Sequence, residues 1–456
     1  MSDRLRILHA IHDFLPRHRA GSEIYACELA RQQSARHDVF VLAAEYDPAT
    51  PHGTLRWRAV EGLPVIEVVN NWEFRTLYES HSSPRLNAQL EHAIDATRPD
   101  ILHVHNLLNL TFDLPRLARE RGARVVATLH DYTLLCASGG QRVHQQESHV
   151  CHEIDPERCS RCFSTSAFHR QMAVSRATGG AIGRAAAKLH AGMPWLTSAI
   201  SRRAPGPAIT SADIIRRLAA ARQVFSAVDL FVAPSAALGA EFVRFGLPPA
   251  RLEISDYGFR ASAARRAPSR GMLRIGFAGT LVWHKGVHVL LEAARRLRGA
   301  FELQIHGDPN VFPEYTVRLK ELAAGLPVRF AGGYAPGDVA SVFGQLDVLV
   351  VPSIWPENSP LVIHEAFMHG VAVVGAAAGG IPDLVRDAGG LVYDPTSPAE
   401  LAAVLQRLID NPSIAARLGQ RAPAVKSMQQ DALEWDARYN RVLDGCREAP
   451  ELVAGT

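Results

Sequence analysis

No run of apolar residues in this 456-residue chain approaches the roughly 20 needed to cross a bilayer. No membrane-spanning helix is therefore expected. Charge of one sign is also missing. Lys and Arg number 49 against 46 Asp and Glu, a net charge of +3. That argues against bulk binding of nucleic acid as the main task. Six cysteines are too few for a disulfide framework in a chain of this length, and suit thiols or metal ligands better. Internal repeats and low-complexity tracts are absent. The opening Met-Ser-Asp-Arg-Leu-Arg runs straight into a strand pattern and lacks the form of a signal peptide. A cytoplasmic location is the expectation.

What is present is ordinary for a globular protein: 47% hydrophobic and 21% charged residues. The length favours two domains or more. Strand patterns fall at residues 4–12, 38–44, 65–69, 101–105, 125–130 and 230–234, with helical runs such as 23–34 between several of them. Alternating strand and helix implies α/β architecture on a doubly wound parallel sheet. A polar stretch without apolar period follows Gly258, and residues 259–272 read as a linker. A second series follows, with strands at 273–278, 301–306, 328–331, 347–351, 371–375 and 391–393. The expected division is an N-terminal domain at 1–258, a C-terminal domain at 273–424, and a last amphipathic helix within 425–456 packing back on the first domain.

The second series is organised around residues 346–370. Leu346 to Val351 is apolar apart from Asp347 and reads as a buried parallel strand. Ser359-Pro360 reads as a cap followed by a first helical position, and Gly370 as the helix end. This is strand, tight loop, helix, the place where open α/β sheets bind ligands. The free amides of Leu361 and Val362 would welcome an anion. Glu357 lies in the loop and Glu365 on the helix.

These pieces resemble the nucleotide-sugar domain of family 4 glycosyltransferases. The matching motifs run in order: Gly276-Phe-Ala-Gly279-Thr-Leu-Val-Trp-His-Lys285-Gly286, then His306-Gly307-Asp308, then Phe330-Ala-Gly-Gly, then Pro352-Ser with Glu357-x7-Glu365-Ala-Phe, then Gly379-Gly380-Ile-Pro-Asp-Leu-Val. The N-terminal half matches more loosely through Pro16, Gly21-Ser-Glu23, His130-Asp131 and Pro234-Ser235. The resemblance implies a GT-B fold, two Rossmann-like domains facing a cleft, and retaining transfer from a nucleotide-activated sugar. A departing diphosphate gains negative charge and needs preorganised donors. Lys285 is the expected cation, with the Leu361 and Val362 amides beside it. By resemblance Glu357 meets the sugar hydroxyls, Glu365 the ribose, and His130 the donor sugar near the reacting carbon. Gly21, Gly279, Thr280, Gly307, Asn358 and Ser359 complete the expected donor site. Thr280 stands where the family often has arginine, and Ala20 replaces the first glycine of the N-terminal pair. No Asp-x-Asp occurs, so catalysis is not expected to require a metal cofactor. The expected partners are a nucleotide-sugar donor and a glycan or lipid-linked acceptor, as in cell-surface polysaccharide synthesis. A nucleotide-sugar epimerase on the same fold is one alternative. A non-catalytic zinc-dependent binding module is the other.

Two features fall outside that resemblance. Cys136, Cys151, Cys159 and Cys162 form a C-x14-C-x7-C-x2-C pattern, expected to hold a structural zinc. Free thiols or an iron–sulfur cluster are the alternatives, and His144, His149 and His152 lie nearby. From Arg158 to Ala212 there is no acidic residue, and eight basic ones occur. This segment, within an insertion at 136–212, is a candidate surface for anionic lipid at the inner face of a membrane. Phe163, Phe168, Met172, Leu189, Met193, Trp195 and Leu196 are its candidate apolar partners for peripheral docking, or equally core residues. A plain solvated face is the other reading.

Overall fold

A computed structural model describes residues 4–144, 146–178, 206–260, 271–386 and 390–447. The chain divides into two compact units. Unit 1 comprises residues 1–234, 239–258 and 428–456, and unit 2 comprises 235–238 and 259–427.

Unit 1 carries β1 (Arg6–Ile11), β2 (Asp38–Glu45), β3 (Leu55–Val60), β4 (Leu63–Val69), β5 (Ile101–Val104), β6 (Arg124–Thr128), the short pair β7 (Val143–His144) and β8 (His149–Val150), then β9 (Leu230–Ala233) and β10 (Leu252–Ile254). Eight of these form one sheet in the order β10-β9-β6-β5-β1-β2-β4-β3. Only β3 is antiparallel to its neighbour in that sheet. β3 escapes the sequence reading because it is a half-exposed edge strand. Arg56 and Arg58 hold the buried carboxylate Glu67 on β4, each at 2.6 Å, and the Trp57 side chain stays in solvent. The direction of chain growth reverses between β1 and β5, which pair in register from Ile7↔Ile101 to Ala10↔Val104.

The helix Met428–Arg447 returns to unit 1 and packs on the helix Gly21–Ser34. Its contact is polar at the centre. The buried Asp431 carboxylate accepts from Tyr25 Oη at 2.7 Å and from the Gly258 amide at 3.2 Å. Trp435 Nε1 donates to Tyr25 Oη at 3.0 Å. At the rim Arg36 grips Asp436 through Nε at 2.9 Å and Nη2 at 2.7 Å.

Unit 2 carries β11 (Leu273–Ala278), β12 (Phe301–His306), β13 (Val328–Gly332), β14 (Val348–Val351), β15 (Ala372–Ala376) and β16 (Gly390–Tyr393). The order is β13-β12-β11-β14-β15-β16, all parallel. Its strands read as continuous apolar runs because both faces are covered. Val348 and Val350 join one apolar cluster, while Leu349 and Val351 join the other. Here the reversal lies between β11 and β14. The buried Asp347 fastens that seam, accepting from the Arg274 amide at 2.9 Å and from its guanidinium at 2.9 and 3.1 Å.

Residues 179–205 and 261–270 lie outside the described residues, and so do most of the basic segment and the middle of the expected linker. Within the described part, Phe163 and Met172 are buried. Phe168 stacks on Trp72 with centroids 4.6 Å apart. Phe163 and Met172 are core residues of unit 1 and are not available for docking on a membrane, while Phe168 is half-buried against Trp72. Leu189, Met193, Trp195 and Leu196 fall outside the described residues.

Replacing Asp431 by Ala leaves the Tyr25 hydroxyl and the Gly258 amide buried without their acceptor. The expected cost is about 2–3 kcal/mol, a fall in melting temperature of roughly 5 °C or more. An unchanged melting curve would contradict the placement of this helix.

Candidate donor-binding and histidine sites

In unit 2 the loops that follow β11 and β14 rise at the point where strand order reverses. Ligands of open α/β sheets sit outside the carboxyl ends of strands at such a point. The first loop runs from Gly279 to Gly286. Gly279 adopts φ 151 and its amide bonds the His306 carbonyl at 3.0 Å. A Cβ on Gly307 would stand 2.3 Å from the Gly279 carbonyl oxygen. Thr280 is exposed at the top. Gly286 (φ 72) then presses on the second loop, where a Cβ would meet the Pro352 oxygen at 1.8 Å. Side-chain-free backbone is what lets these two loops touch.

That contact brings Lys285 to Glu357. Lys285 Nζ stands 2.6 Å from Glu357 Oε1 and 5.2 Å from the centre of the Trp355 ring. Ser353 Oγ donates to the same carboxylate oxygen at 2.5 Å. Glu357 is 5% exposed. Burial pushes its pKa up, but the Lys285 charge and the hydrogen bonds from Lys285 and Ser353 outweigh that and hold it below the ordinary value. Gly379 and Gly380 support the loop from behind. The Gly380 amide donates to the Glu357 carbonyl at 2.7 Å, and a Cβ on Gly379 would lie 2.1 Å from that oxygen.

The helix Leu361–Met368 begins one residue later than the sequence reading placed it. Pro360 is the N-cap, with φ −63 and ψ 117. The expected Ser359 cap does not form; its hydroxyl pairs with His364 Nε2 at 3.0 Å. Proline fixes its own φ and so can close the turn without a side-chain cap. The Leu361 and Val362 amides have no acceptor among the described residues, which leaves the positive end of the helix for an anion. Asn358 is buried beside Glu357. Glu365 is half-buried on the helix with Tyr334 Oη 3.5 Å away. Burial raises its pKa to about 7, against the opposing effects of Tyr334 and His364. Asp308 caps a turn, accepting from the Asn310 amide at 2.8 Å. Lys285, Glu357, Asn358, Leu361 and Val362 are thus brought together around one loop pair. Gly279, Gly307, Gly379 and Gly380 are the close approaches that shape it.

Unit 1 supplies Gly21 as the first residue of its helix, after the N-cap Ala20. The amides of Gly21, Ser22 and Glu23 have no acceptor among the described residues. Buried Glu23 faces His12 Nε2 at 3.3 Å. His130 follows β6 and is the end of a chain that the sequence reading missed. Tyr257 Oη lies 3.0 Å from His130 Nδ1. His130 Nε2 lies 3.0 Å from His105 Nδ1, and His105 Nε2 lies 2.9 Å from His9 Nδ1. His9 Nε2 then meets Gln33 Oε1 at 2.9 Å. Gln33 Nε2 donates to Tyr439 Oη at 3.2 Å, and that oxygen reaches His103 Nδ1 at 2.7 Å. His103 Nε2 ends on Thr128 Oγ1 at 2.8 Å. The available signal was a histidine inside each of two otherwise apolar stretches, His9 on β1 after Arg6 and His103 on β5, which pair directly.

Every histidine of this ladder is kept neutral by burial. His9 falls to about 4 and His130 to about 3, the latter helped by the charge of His12. His103 and His105 are lowered as well, by burial and then by neighbouring histidines. A neutral imidazole has one donor and one acceptor nitrogen. With the Gln33 oxygen facing His9, His9 carries its proton on Nε2 and accepts on Nδ1. His105 therefore donates from Nε2, and His130 does the same. The Tyr257 hydroxyl, its pKa raised by burial, donates to His130 Nδ1. One amide orientation sets three tautomers.

Burial also lowers His52, His81 and His284 to about 4. Between the ordinary 6.5 and about 4, the unfolded chain binds protons that the folded chain refuses. Stability therefore falls as pH drops through that window. Glu365 acts oppositely between 4.5 and about 7, and Asp13 and Asp131, also raised by burial, act with it, but the lowered histidines outnumber these carboxylates. At pH 5 each buried histidine costs up to about 2 kcal/mol. Melting temperature measured from pH 7.5 to 5 is expected to fall steadily, and a flat profile would contradict neutral burial of the ladder.

Comparison with known proteins places these units. The model of glycosyl transferases group 1 matches residues 265–425, and that of glycosyltransferase family 4 matches residues 19–185. The D-inositol 3-phosphate glycosyltransferase of Thermomonospora curvata is 32% identical over 284 residues, 55% of this chain and 63% of that protein. The MMP alpha-(1->4)-mannosyltransferase of Mycolicibacterium hassiacum is 28% identical over 226 residues, 47% and 54% of the two chains. The chain thus spans a little over half the length of these curated relatives. Among solved structures, sucrose-phosphate synthase from Thermosynechococcus elongatus has a TM-score of 0.66 at 16% identity, over 97% of this chain and all of that one. Anabaena HepE in complex with UDP and glucose has a TM-score of 0.61 at 16% identity, over the same shares. The fold is GT-B, and the chain belongs to glycosyltransferase family 4, with a group 1 glycosyltransferase domain as its C-terminal part.

Proposed function

We propose that this protein is a retaining glycosyltransferase that moves a sugar from a nucleoside-diphosphate sugar to a glycan or lipid-linked acceptor. The observation that supports this most is the half-buried Lys285 fixed on the buried Glu357–Ser353 pair beside two unengaged helix amides. A leaving diphosphate becomes more negative as the glycosidic bond breaks. A fixed ammonium and aligned N–H groups meet that charge without reorganising. Lys285 is already ordered by Glu357, so the diphosphate finds it in place. Glu357, ionised and rigid, accepts hydrogen bonds from sugar hydroxyls and fixes the ring.

Glu365, on the flank of the same helix, is assigned to the ribose. In unit 1, Gly21 and the amides after it offer a second anion-accepting backbone. His130 is assigned to the donor sugar, held by the ladder in one tautomer. HepE is described with UDP and glucose, and the relatives are named for transfer to inositol 3-phosphate and for mannosyl transfer. These names support a phosphorylated or sugar acceptor. No helix among the described residues is long and apolar enough to cross a membrane. A cytoplasmic enzyme working at the inner membrane face, on an acceptor for cell-surface polysaccharide, remains the proposed setting.

The test is turnover with a panel of nucleotide-sugars, chosen first by thermal stabilisation. Lys285→Ala is expected to lose the stabilisation and to reduce kcat by about 100-fold or more. The variant is compared where circular dichroism shows it folded, because it also leaves Glu357 buried without its cation. Unchanged turnover in Lys285→Ala and Glu357→Gln would remove the assignment.

A further inference from the structure

A short hairpin and one helix bring the four cysteines of the insertion toward one another. β7 and β8 pair antiparallel, Val143↔Val150. Cys151 follows β8, and its amide donates to the Arg142 carbonyl at 2.8 Å. The helix Pro156–Ser164, capped by Asp155, carries Cys159 and Cys162 one turn apart on one face. Cys162 Sγ lies 4.0 Å from the Val143 carbonyl, so this face rests on the hairpin. Cys136 ends the turn that starts at Tyr132, and its thiol is within electrostatic range of Cys151, Cys159 and Cys162. All four are half-buried and none is in a disulfide.

A second observation is independent of the thiols. Arg217 is 4% exposed. Its guanidinium donates to the Thr133 and Leu134 carbonyls at 2.7 and 3.3 Å and lies over the Phe112 ring. No carboxylate pairs with it among the described residues. A buried cation without a counter-charge is costly. The groups facing it that are able to become negative are Cys136 and Cys159. The nearby histidines are turned elsewhere. His149 Nε2 meets Arg158 at 3.0 Å, His144 Nδ1 accepts from the Glu147 amide at 3.3 Å, and His152 is exposed.

We propose that Cys136, Cys151, Cys159 and Cys162 bind one structural zinc ion as thiolates, with Arg217 as the buried counter-cation. Four thiolates around Zn²⁺ carry a net charge of −2, and four protons leave to solvent on binding. Arg142 and Arg158, which face Cys151, add to the compensation. The donor sets already drawn within 4.8 Å among the described residues consist of histidines and carboxylates, so the cysteine side chains close further when they take the ion. The need for a staple is evident locally. The helix Pro156–Ser164 buries only Ser160 and Phe163, and β7 and β8 have two residues each. The ion fastens the loop that also fixes Asp131, whose Oδ1 accepts from the Thr133 amide at 2.7 Å.

The test uses the full chain produced with zinc in the medium. About one zinc per chain is expected, with an X-ray absorption spectrum of sulfur neighbours at about 2.3 Å. A strong chelator should expose four further thiols to a disulfide reagent and lower the melting temperature by roughly 5 °C or more. Added zinc should reverse both. Cys159→Ser/Cys162→Ser should lose the metal; if that variant fails to fold, the chelation experiment on the native chain decides. Metal-free protein, nitrogen neighbours, an iron–sulfur absorption band, or a native disulfide would each overturn the proposal. None of these measurements depends on glycosyl transfer.

Discussion

The contact between Lys285 and Glu357 is the constraint around which unit 2 is arranged. An ionised carboxylate at 5% exposure is tolerable only when it is paired and hydrogen-bonded. Lys285 and Ser353 meet that demand on one oxygen. Everything needed to bring them there is backbone. Gly286 lets the first loop touch Pro352, and Gly379 and Gly380 let a third loop touch Glu357 and Asn358. The parallel sheet supplies the rest, because its reversal between β11 and β14 opens both loops on one edge. An alanine at any of these glycines acts on the ion pair without contacting either charge.

Unit 1 solves the same problem differently. At its own reversal, between β1 and β5, the buried polar groups are neutral. His9, His103 and His105 fill a sheet face where aliphatic side chains would be the simpler choice. Each is satisfied by a neighbour, and the chain runs from Tyr257 to Thr128 through Gln33 and Tyr439. Such a network is strong only when complete, since one lost partner leaves a buried donor or acceptor. The C-terminal helix completes it through Tyr439, which ties the last elements of the chain to the loop that presents His130.

The alternation of strands and helices was legible because parallel strands buried on both faces leave apolar runs. The motif around Glu357 was legible because its glycines and prolines are demanded by close approach. The pair formed by Lys285 and Glu357 was not, since 72 residues separate them and only the loop geometry joins them. Sequence reading quoted Gly379-Gly380 only as part of a motif, and their contacts now explain why nothing larger fits. The histidine ladder was hidden for a related reason. A lone histidine in a strand looks like an ordinary core residue, and only register shows that His9 lies against His103. Ser359 misled because serine before proline usually caps, whereas here its hydroxyl finds His364.

Arg217 shows how far charge balance alone carries a reading. It lies in an otherwise amphipathic helix, Ser211–Ala227, where a basic residue normally reaches solvent. Here it is drawn inward onto the Thr133 and Leu134 carbonyls, directly after the His130-Asp131 pair. Carbonyl oxygens align a guanidinium but do not neutralise it. The proposed zinc site would supply the missing negative charge, because thiols become anionic at neutral pH when a metal holds them. In the zinc site proposed above, the loop that carries His130 is braced from two sides: from the sheet by neutral imidazoles, and from the insertion by a thiolate–zinc cluster whose net negative charge Arg217 would offset. Both braces converge on residues 130–135, so the position of His130 depends on groups up to three hundred residues away that never approach a substrate.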